Sequence, residues 1–428
     1  MANTAEKTDP SAALLAAWPR ADAGAKWAKA AQDTALARYR AMGAPARRDE
    51  YWRFTNPAPL TAVPAAAAAV LAQETSGIFD PVDHLTLVFV DGRFRADLSD
   101  ELAMDACEIA MLSDTMATDI HWAGDVFGQL EGAAHDYTPR PLAALNTAVA
   151  DQGVAIRVTG AAPRPIGLRY VREDATADAM VHHVVRVEAG ATLTILESGP
   201  SAARFNTVME IDIADGGTLH HVRAQGRDHE RHAATGIFAR LGEKSTFKSF
   251  TLTANGAVTR NEAVIEFNGD AATAHIAGAC VGDGAFHHDD TVFITHDAQD
   301  CESRQVFKKV LKNGATGVFQ GKILVQPDAQ RTDGYQISQG LLLDDDSQFL
   351  AKPELEIYAD DVACSHGSTC GSVDDEQLFY LTSRGIPRRQ AENMLVISFV
   401  AEAIAEVEDE TLQELLIARL QHWMERHS

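Results

Sequence analysis

Short apolar stretches with the alternation typical of β-strands fill the middle of the chain, and Gly, Asp and Asn separate them. The first clear strand covers 85–90, and the Asp91-Gly92 pair that follows it is a strong hairpin signal. Further strands are predicted at 184–187, 193–196, 208–213, 237–241, 247–252, 263–267, 292–295, 322–325 and 355–358. The pattern therefore predicts a mainly β core over 81–355.

A unit made of a turn and a strand recurs within this region. Thr192, Thr218, Thr246 and Thr273 each follow a short turn, and they are 26, 28 and 27 residues apart. A long run of short strands at such a repeat fits a sandwich, a barrel or a β-solenoid. The near-constant step favours the solenoid, because each coil has to stack its side chains on the next.

The first part of the chain, residues 1–80, has helical rather than strand spacing. It is rich in Ala, and Trp18, Trp27 and Tyr39 fit the apolar faces of short amphipathic helices. The alanines at 65–69 fit either a further helix or a flexible tether. We therefore expect an N-terminal helical region ahead of the β core.

Helical spacing returns from Asp374 onwards, and a C-terminal helical domain is predicted over 356–428. Gly385 and Pro387 suit the end of one helix and the first turn of the next. The stretch that follows, 394–407, is apolar on more than one face. A helix of that kind is either buried or covered by another protein, so this region is a candidate contact surface.

The overall composition argues against several classes of protein. The 428 residues carry a formal net charge of −24, which is unsuited to non-specific nucleic-acid binding. There is no apolar run of about twenty residues, so we expect no membrane-spanning helix. Residues 1–19 lack the pattern of a signal peptide. Five scattered cysteines do not resemble a disulfide framework, and the expected compartment is therefore the cytoplasm.

Enzyme signatures are missing from the sequence: there is no P-loop, no His-Glu-x-x-His and no Gly-x-Ser-x-Gly. Three pairs of adjacent histidines fall on or beside predicted strands, namely His182-His183, His220-His221 and His287-His288. Because adjacent strand residues point to opposite faces, no pair chelates one ion by itself, and hydrogen-bonded or exposed strand histidines are expected. The isolated Cys301 is expected to be a buried structural thiol.

Cys364 and His366 are the strongest candidates for chemistry. They lie two residues apart where the strand pattern gives way to the helical pattern. If this segment is extended, both side chains point to the same face. Thiolate and imidazole are soft or borderline metal ligands, although a single Cys-x-His is more often structural. Cys370, six residues after Cys364, makes no zinc-type spacing with it.

Several segments together resemble one known family, the SufB/SufD family of iron–sulfur cluster assembly proteins. They occupy 301–305, 312–315, 319–323, 352–357, 364–367, 375–381 and 384–386. The N-terminal Trp52-Arg53-Phe54-Thr55 is similar to the corresponding segment of the SufD branch rather than the SufB branch. The resemblance is dense over 300–400 and looser over the preceding strands.

This resemblance implies a right-handed parallel β-helix over 81–355, flanked by the helical regions 1–80 and 356–428. It implies a non-catalytic scaffold subunit of a cytoplasmic iron–sulfur cluster assembly complex. The last strands would pair with a SufB-like subunit, and the C-terminal helices would dock a SufC-like ATPase. When alone, the chain is expected to be able to form a homodimer.

The same resemblance makes His366 and Cys364 candidate metal ligands at the interface between the two β-helical subunits. It implies no cofactor held stably by this chain, and a transient iron–sulfur cluster at the heteromer interface. The alternative is a β-helix polysaccharide lyase or hydrolase, which would need paired carboxylates in a cleft. The acidic residues instead cluster in turns, as at 344–346.

Overall fold

The computed structural model describes residues 10–20, 24–70, 77–136, 138–226 and 230–427. Its α-helices are α1 (Pro10–Ala17), α2 (Lys26–Met42), α3 (Ala58–Thr61), α4 (Leu112–Ala117), α5 (Leu130–Ala133), α6 (Pro141–Val149), α7 (Asp375–Ser383), α8 (Arg388–Ile404) and α9 (Glu410–Arg426). Short 3-10 helices cover Glu50–Trp52, Ala96–Leu98, Trp122–Asp125 and Ala134–Asp136. Parts of the expected helical regions, at 1–9, 21–23, 71–76 and 428, lie outside the described residues.

The strands alternate between two sheets. They are β1 (Leu85–Val90), β2 (Arg93–Phe94), β3 (Ala103–Met104), β4 (Cys107–Met111), β5 (Val154–Val158), β6 (Ile166–Val171), β7 (Asp178–Val187), β8 (Thr192–Gly199), β9 (Arg204–Ile213), β10 (Thr218–Gln225), β11 (His232–Leu241), β12 (Thr246–Ala254), β13 (Val258–Phe267), β14 (Thr273–Asp283), β15 (His287–His296), β16 (Glu302–Lys312), β17 (Thr316–Val325), β18 (Thr332–Leu342), β19 (Gln348–Ile357) and β20 (Val362–Gly371). Every strand predicted from the sequence falls on one of them.

Each sheet has ten strands, and the long strands pair in parallel. The even-strand sheet has the order β2-β1-β6-β8-β10-β12-β14-β16-β18-β20, and the odd-strand sheet has the order β19-β17-β15-β13-β11-β9-β7-β5-β4-β3. From β5 onwards each coil therefore adds one strand to each sheet, which is a parallel β-solenoid. The expected hairpin is also present, because β2 pairs antiparallel with β1 across Asp91 and Gly92.

The threonines of the sequence repeat occupy the same position in successive coils of the solenoid. Thr192, Thr218, Thr246 and Thr273 are direct neighbours on β8, β10, β12 and β14. Two residues before each of them stands a residue with positive φ, as at Gly190 (φ 68°). The backbone N–H at that position donates to the turn of the next coil, for example from Gly190 to Asp215 O at 3.0 Å. The repeat thus marks a turn that is hydrogen-bonded from coil to coil.

We call the four threonines in register the ladder threonines. The residue directly after each of them points into the space between the two sheets. Leu193, Leu219, Phe247 and Ala274 are in register and buried in the main hydrophobic cluster. Since strand side chains alternate, every odd step from a ladder threonine faces the interior. By this count Glu197, five residues after Thr192, and Arg223, five residues after Thr218, point inward.

The N-terminal helices cover the outer face of the odd-strand sheet. Trp27 and Phe127 of this layer pack with Phe238 and Phe293 of the sheet. The layer includes α4, α5 and α6, so helices between 112 and 149 lie inside the segment 81–355 that was expected to be mainly β. The α6 helix is buried along its whole length, which hides its amphipathic signal.

Two N-terminal segments run across the solenoid outside the α-helices. Residues 65–69 form no helix, so the helical alternative is wrong there, and the N–H of Ala68 donates to Ala175 O at 2.8 Å. Within the Trp52–Thr55 motif, the Thr55 hydroxyl donates to the Asp289 carboxylate at 2.5 Å. The guanidinium of Arg260 lies 4.2 Å from the centre of the Trp52 ring. The motif therefore anchors the helical layer to the sheet.

The C-terminal helices pack on the outer face of the even-strand sheet. Val396 and Val400 of α8 and Leu416 of α9 share a buried cluster with Val306 and Val310 of β16. Of the two alternatives for the apolar helix, burial within the chain applies to this face, because the face packs on the sheet. The helices begin at Asp375, next to the residue where the helical spacing begins in the sequence, so β20 lies within the segment 356–428 that was expected to be helical. No helix in the described part of the chain is long and apolar enough to cross a membrane.

Candidate functional site

The two sheets end differently at the two ends of the solenoid. At the N-terminal end, the short antiparallel strands β2 and β3 close the sheets. At the C-terminal end, the last strands are β19 and β20, each ten residues long and each with one unpaired edge among the described residues. Most residues of β20 are exposed. This open end carries Cys364 and His366.

The register of β20 places Cys364 and His366 on one face, as expected. Gly334, Gln336 and Ser338 of β18 are the neighbours of Cys364, His366 and Ser368. The Ser338 hydroxyl donates to Ser368 Oγ at 3.1 Å. Because Gln336 and Ser338 are buried in the interior, the matching residues of β20 face the same way, over the open end. Cys370 lies further along this face.

Cys364 is a half-buried thiol that leans over a glycine. A Cβ at Gly334 would lie 3.1 Å from Cys364 Sγ, so the missing side chain there leaves room for the sulfur. Cys364 packs beside the cluster of Ile323 and Ala329. Burial raises the pKa of the Cys364 thiol, which keeps it protonated near neutral pH. Binding of this sulfur to a metal ion would therefore have to displace its proton.

His366 is exposed on the edge strand. No group of three or more His, Cys, Asp and Glu side chains able to hold a metal ion occurs within the described ranges. Cys370 lies further along this face, but it does not form such a group with Cys364 and His366 in the part of the chain that the structure describes. Any metal bound at this face needs ligands from elsewhere.

The paired histidines have a different role from the edge residues. His183 and His221 point into the solenoid, where a buried network joins them to Tyr170, Glu197 and Arg223. His221 Nε2 lies 2.9 Å from Glu197 Oε2, and the Tyr170 hydroxyl donates to Glu197 Oε1 at 2.6 Å. Burial lowers the pKa of His183 to about 4. Burial also raises the pKa of Glu197, but Arg223 and His221 outweigh it and hold that pKa below its ordinary value.

A second interior network lies nearer the open end. The Lys309 ammonium donates to Asp290 Oδ2 at 2.5 Å and lies 2.8 Å from His288 Nδ1. Cys280 is the register neighbour of Lys309, and burial raises its pKa to about 12. One cation faces one carboxylate in each network. These groups are therefore balanced within the fold, as expected for hydrogen-bonded strand histidines rather than for metal sites.

Sequence reasoning missed Glu197, Arg223, Asp290 and Lys309. The sequence does indicate that Glu197 and Arg223 point inward, because each lies an odd number of residues after its ladder threonine.

Cys301 is buried as expected, and its Sγ lies 3.4 Å from both Gly269 O and Gln299 O. The acidic turn at 344–346 is explained locally, since Asp344 Oδ1 accepts the N–H of Ser347 at 2.9 Å.

Three large apolar side chains of the C-terminal helices are exposed. Phe379 and Tyr380 of α7 are 73% and 55% exposed, and Met394 of α8 is 44% exposed. The guanidinium of Arg384 stacks 4.4 Å from the centre of the Tyr380 ring. We call Phe379, Tyr380 and Met394 the α7 patch. It is the part of the C-terminal apolar surface that the solenoid leaves uncovered.

The fold and the open end define a helix-flanked parallel β-solenoid whose last coil has free edges. Residues 170–399 match the family described as "SUF system FeS cluster assembly, SufBD core domain", and the chain belongs to this family. The resemblance seen in the sequence is thereby confirmed.

Three known proteins of this family are similar to the chain in sequence. The chain is 29% identical to the iron–sulfur cluster assembly protein SufD of Escherichia coli (strain K12), over 88% of this chain and 89% of that protein. It is 33% identical to a SufBD family protein of Mycobacterium leprae (strain TN), over 52% and 55% of the two chains. It is 26% identical to SufD of Bacillus subtilis (strain 168), over 59% and 60%. The chain is thus most like SufD, and this membership supports a role in iron–sulfur cluster assembly.

Proposed function

We propose that this chain is a non-catalytic scaffold subunit that joins its open end to a SufB-like subunit. The observation that carries the proposal is the contrast between the closed N-terminal end and the two free ten-residue strands β19 and β20. Long free strand edges are a liability in a monomer, because they pair with other chains. A second β-helical subunit would pair with these edges and continue the stack of coils. A homodimer of this chain uses the same edges when the partner is absent.

Iron and sulfide are the cargo of such an interface rather than a resident cofactor. Thiolate suits an iron–sulfur cluster, and imidazole suits a borderline metal such as iron. The open end offers Cys364 and His366 on one face, and the partner subunit would supply the remaining ligands. This arrangement lets a cluster form transiently at the joint and leave it. The five free cysteines fit a reducing compartment, which for this complex is the cytoplasm.

The α7 patch is the proposed docking surface for a SufC-like ATPase. Exposed aromatic side chains near an Arg are typical of the anchor residues of protein interfaces. The α8 and α9 helices fix the patch to the solenoid through their buried faces. Nucleotide-driven movement of the ATPase would then be transmitted to the β-helical subunits, with hydrolysis supplied by the partner.

The test compares two lysine substitutions on neighbouring residues of β20. Ser368→Lys places an ammonium on the inward face, which a partner coil would bury. Leaving a buried charge unpaired costs about 3–5 kcal/mol. Thr369→Lys places the same charge on the outward face, where it stays in water. Each variant is co-expressed with the SufB-like subunit and the ATPase, and the mass of the native complex is measured.

We expect Ser368→Lys to lose the SufB-like subunit and Thr369→Lys to retain it. Both variants should keep the ATPase, because the α7 patch is unchanged. Assembly of Ser368→Lys at the wild-type level would contradict the proposed joint. Detection of glycan cleavage by the purified chain would favour the lyase or hydrolase alternative instead.

A further inference from the structure

Gln336 is the buried residue directly beside His366. It lies on β18, is fully buried, and is the register neighbour of His366 on the edge strand. Its Nε2 donates to Gln305 Oε1 at 3.0 Å, while its Oε1 has no hydrogen-bond partner. An unpaired buried amide oxygen costs about 1–3 kcal/mol, so a native fold keeps one only for a reason.

The surroundings hold the Gln336 amide inside the last coils. A Cβ at Gly321 would lie 2.3 Å from Gln336 Nε2, so only glycine on β17 leaves space for this amide. Gln305 accepts a hydrogen bond from the same Nε2. The close packing of the amide against Gly321 therefore keeps the Gln336 side chain in place before any partner arrives.

Inward side chains of β18 and β20 reach each other on both sides of this pair. Ser338 and Ser368 are hydrogen-bonded, and Cys364 lies over Gly334. The pair Gln336–His366 lies between these two contacts in the same register. Turning the exposed His366 ring inward over the open end would bring a ring N–H to the free oxygen of Gln336.

We propose that Gln336 is a positioning residue that accepts a hydrogen bond from the His366 ring and so presents the other ring nitrogen to metal. This inference rests on the proposed function, because it concerns the same interface. A metal-binding histidine almost always donates its second N–H to an oxygen, and loss of that partner costs about 10–100-fold in metal affinity. The oxygen of Gln336 is that partner, and the fold holds it in place.

Four variants separate this role from a structural one. Gln336→Met removes the oxygen and keeps the approximate volume. Gln336→Glu keeps only acceptor oxygens. Gln305→Met breaks the same amide–amide hydrogen bond but leaves the oxygen beside His366, so it is the matched control. His366→Ala defines the part of the metal signal that depends on the imidazole.

The probe is Co²⁺, added to the assembled complex of this chain with its SufB-like subunit and ATPase. Two quantities are measured: the affinity from the visible absorption of Co²⁺, and the shifted NMR signal of the exchangeable N–H on the metal-bound ring. We expect Gln336→Met to lower the affinity about 10–100-fold and to lose the N–H signal through exchange with water. Gln336→Glu should restore both, and Gln305→Met should behave as wild type.

Equal behaviour of Gln336→Met and Gln305→Met would overturn the inference and make Gln336 a structural residue. If Co²⁺ binding depends on His366 but not on Gln336, the inference alone fails and the metal role of His366 stands. If His366→Ala binds Co²⁺ as wild type does, the metal role of His366 fails and the inference fails with it. Melting temperatures of all variants show whether folding contributes.

Discussion

Replacing Phe379 by serine should weaken binding of the SufC-like ATPase. Phe379 is 73% exposed and is the most exposed residue of the proposed docking surface. A fully buried Phe hides about 150–250 Å², so docking would cover about 110–180 Å² of this side chain. At about 25 cal/mol per Å², that area corresponds to about 3–4.5 kcal/mol.

Only part of this free energy is lost in the variant. Serine keeps the Cβ, and ordering the interface has its own cost. We therefore expect a loss of about 2–3 kcal/mol, which is about 30–150-fold in Kd. Because Phe379 is exposed in the isolated chain, the melting temperature should stay within the error of the measurement.

The assay is calorimetric titration of the purified chain with the purified ATPase. Ile120→Ser is the matched control, because Ile120 is 92% exposed and lies in the N-terminal half of the chain, away from α7. It removes exposed apolar surface without touching the α7 patch. A Kd for Phe379→Ser within twofold of wild type would refute the docking surface, and so would equal weakening by Ile120→Ser.

Three further substitutions test other parts of the molecule. His366→Ala should leave the melting temperature and the complex unchanged but reduce cluster formation, measured by the absorbance of reconstituted clusters; a normal cluster yield in a stable complex would contradict a ligand role. Glu197→Gln leaves Arg223 buried without its carboxylate, so urea unfolding should show a loss of about 3–5 kcal/mol. Burial lowers the pKa of His296 from 6.5 to about 3, so the unfolded chain binds a proton that the folded chain does not, and stability falls as pH drops through this window. Between about pH 8 and about pH 5 this proton uptake lowers the free energy of unfolding by about 2 kcal/mol. In His296→Leu the decrease between the two pH values should be smaller by that amount, as measured from urea unfolding at each pH.

The solenoid could be predicted because threonines recur in the sequence at a nearly constant spacing. The threonines from Thr192 to Thr273 occupy one register position, and the residue two places before each has positive φ. Gly190 and Gly216 suit that conformation, but Lys244 and Ala271 adopt it too. Their backbone N–H groups are held by the next coil, as from Lys244 to Asp270 O at 2.8 Å. A search for glycine alone would therefore have missed later coils.

The interior chemistry was not predictable, because it depends on which strands become neighbours. Glu197 and Arg223 are 26 residues apart in sequence, yet their side chains form a buried ion pair. Gln305 and Gln336 are similarly separated and meet through the solenoid stack. Sequence patterns placed Cys364 and His366 on one face because that inference needs only local alternation. It gave no information about Gln336, whose position beside His366 follows from the pairing of β18 with β20.

The segment that matches the SufBD family contains the two proposed interaction surfaces, whereas the N-terminal helices lie outside it. The match covers 170–399, which runs from β6 to α8 and includes the open end and the α7 patch. The N-terminal helices before it cover the outer face of the odd-strand sheet through apolar contacts, and the Trp52–Thr55 motif anchors them there. Substitutions under these helices should therefore change the stability of the fold, whereas substitutions at β20 and α7 should change assembly while leaving the fold intact. A stable variant that fails to assemble is expected only at the second group of positions.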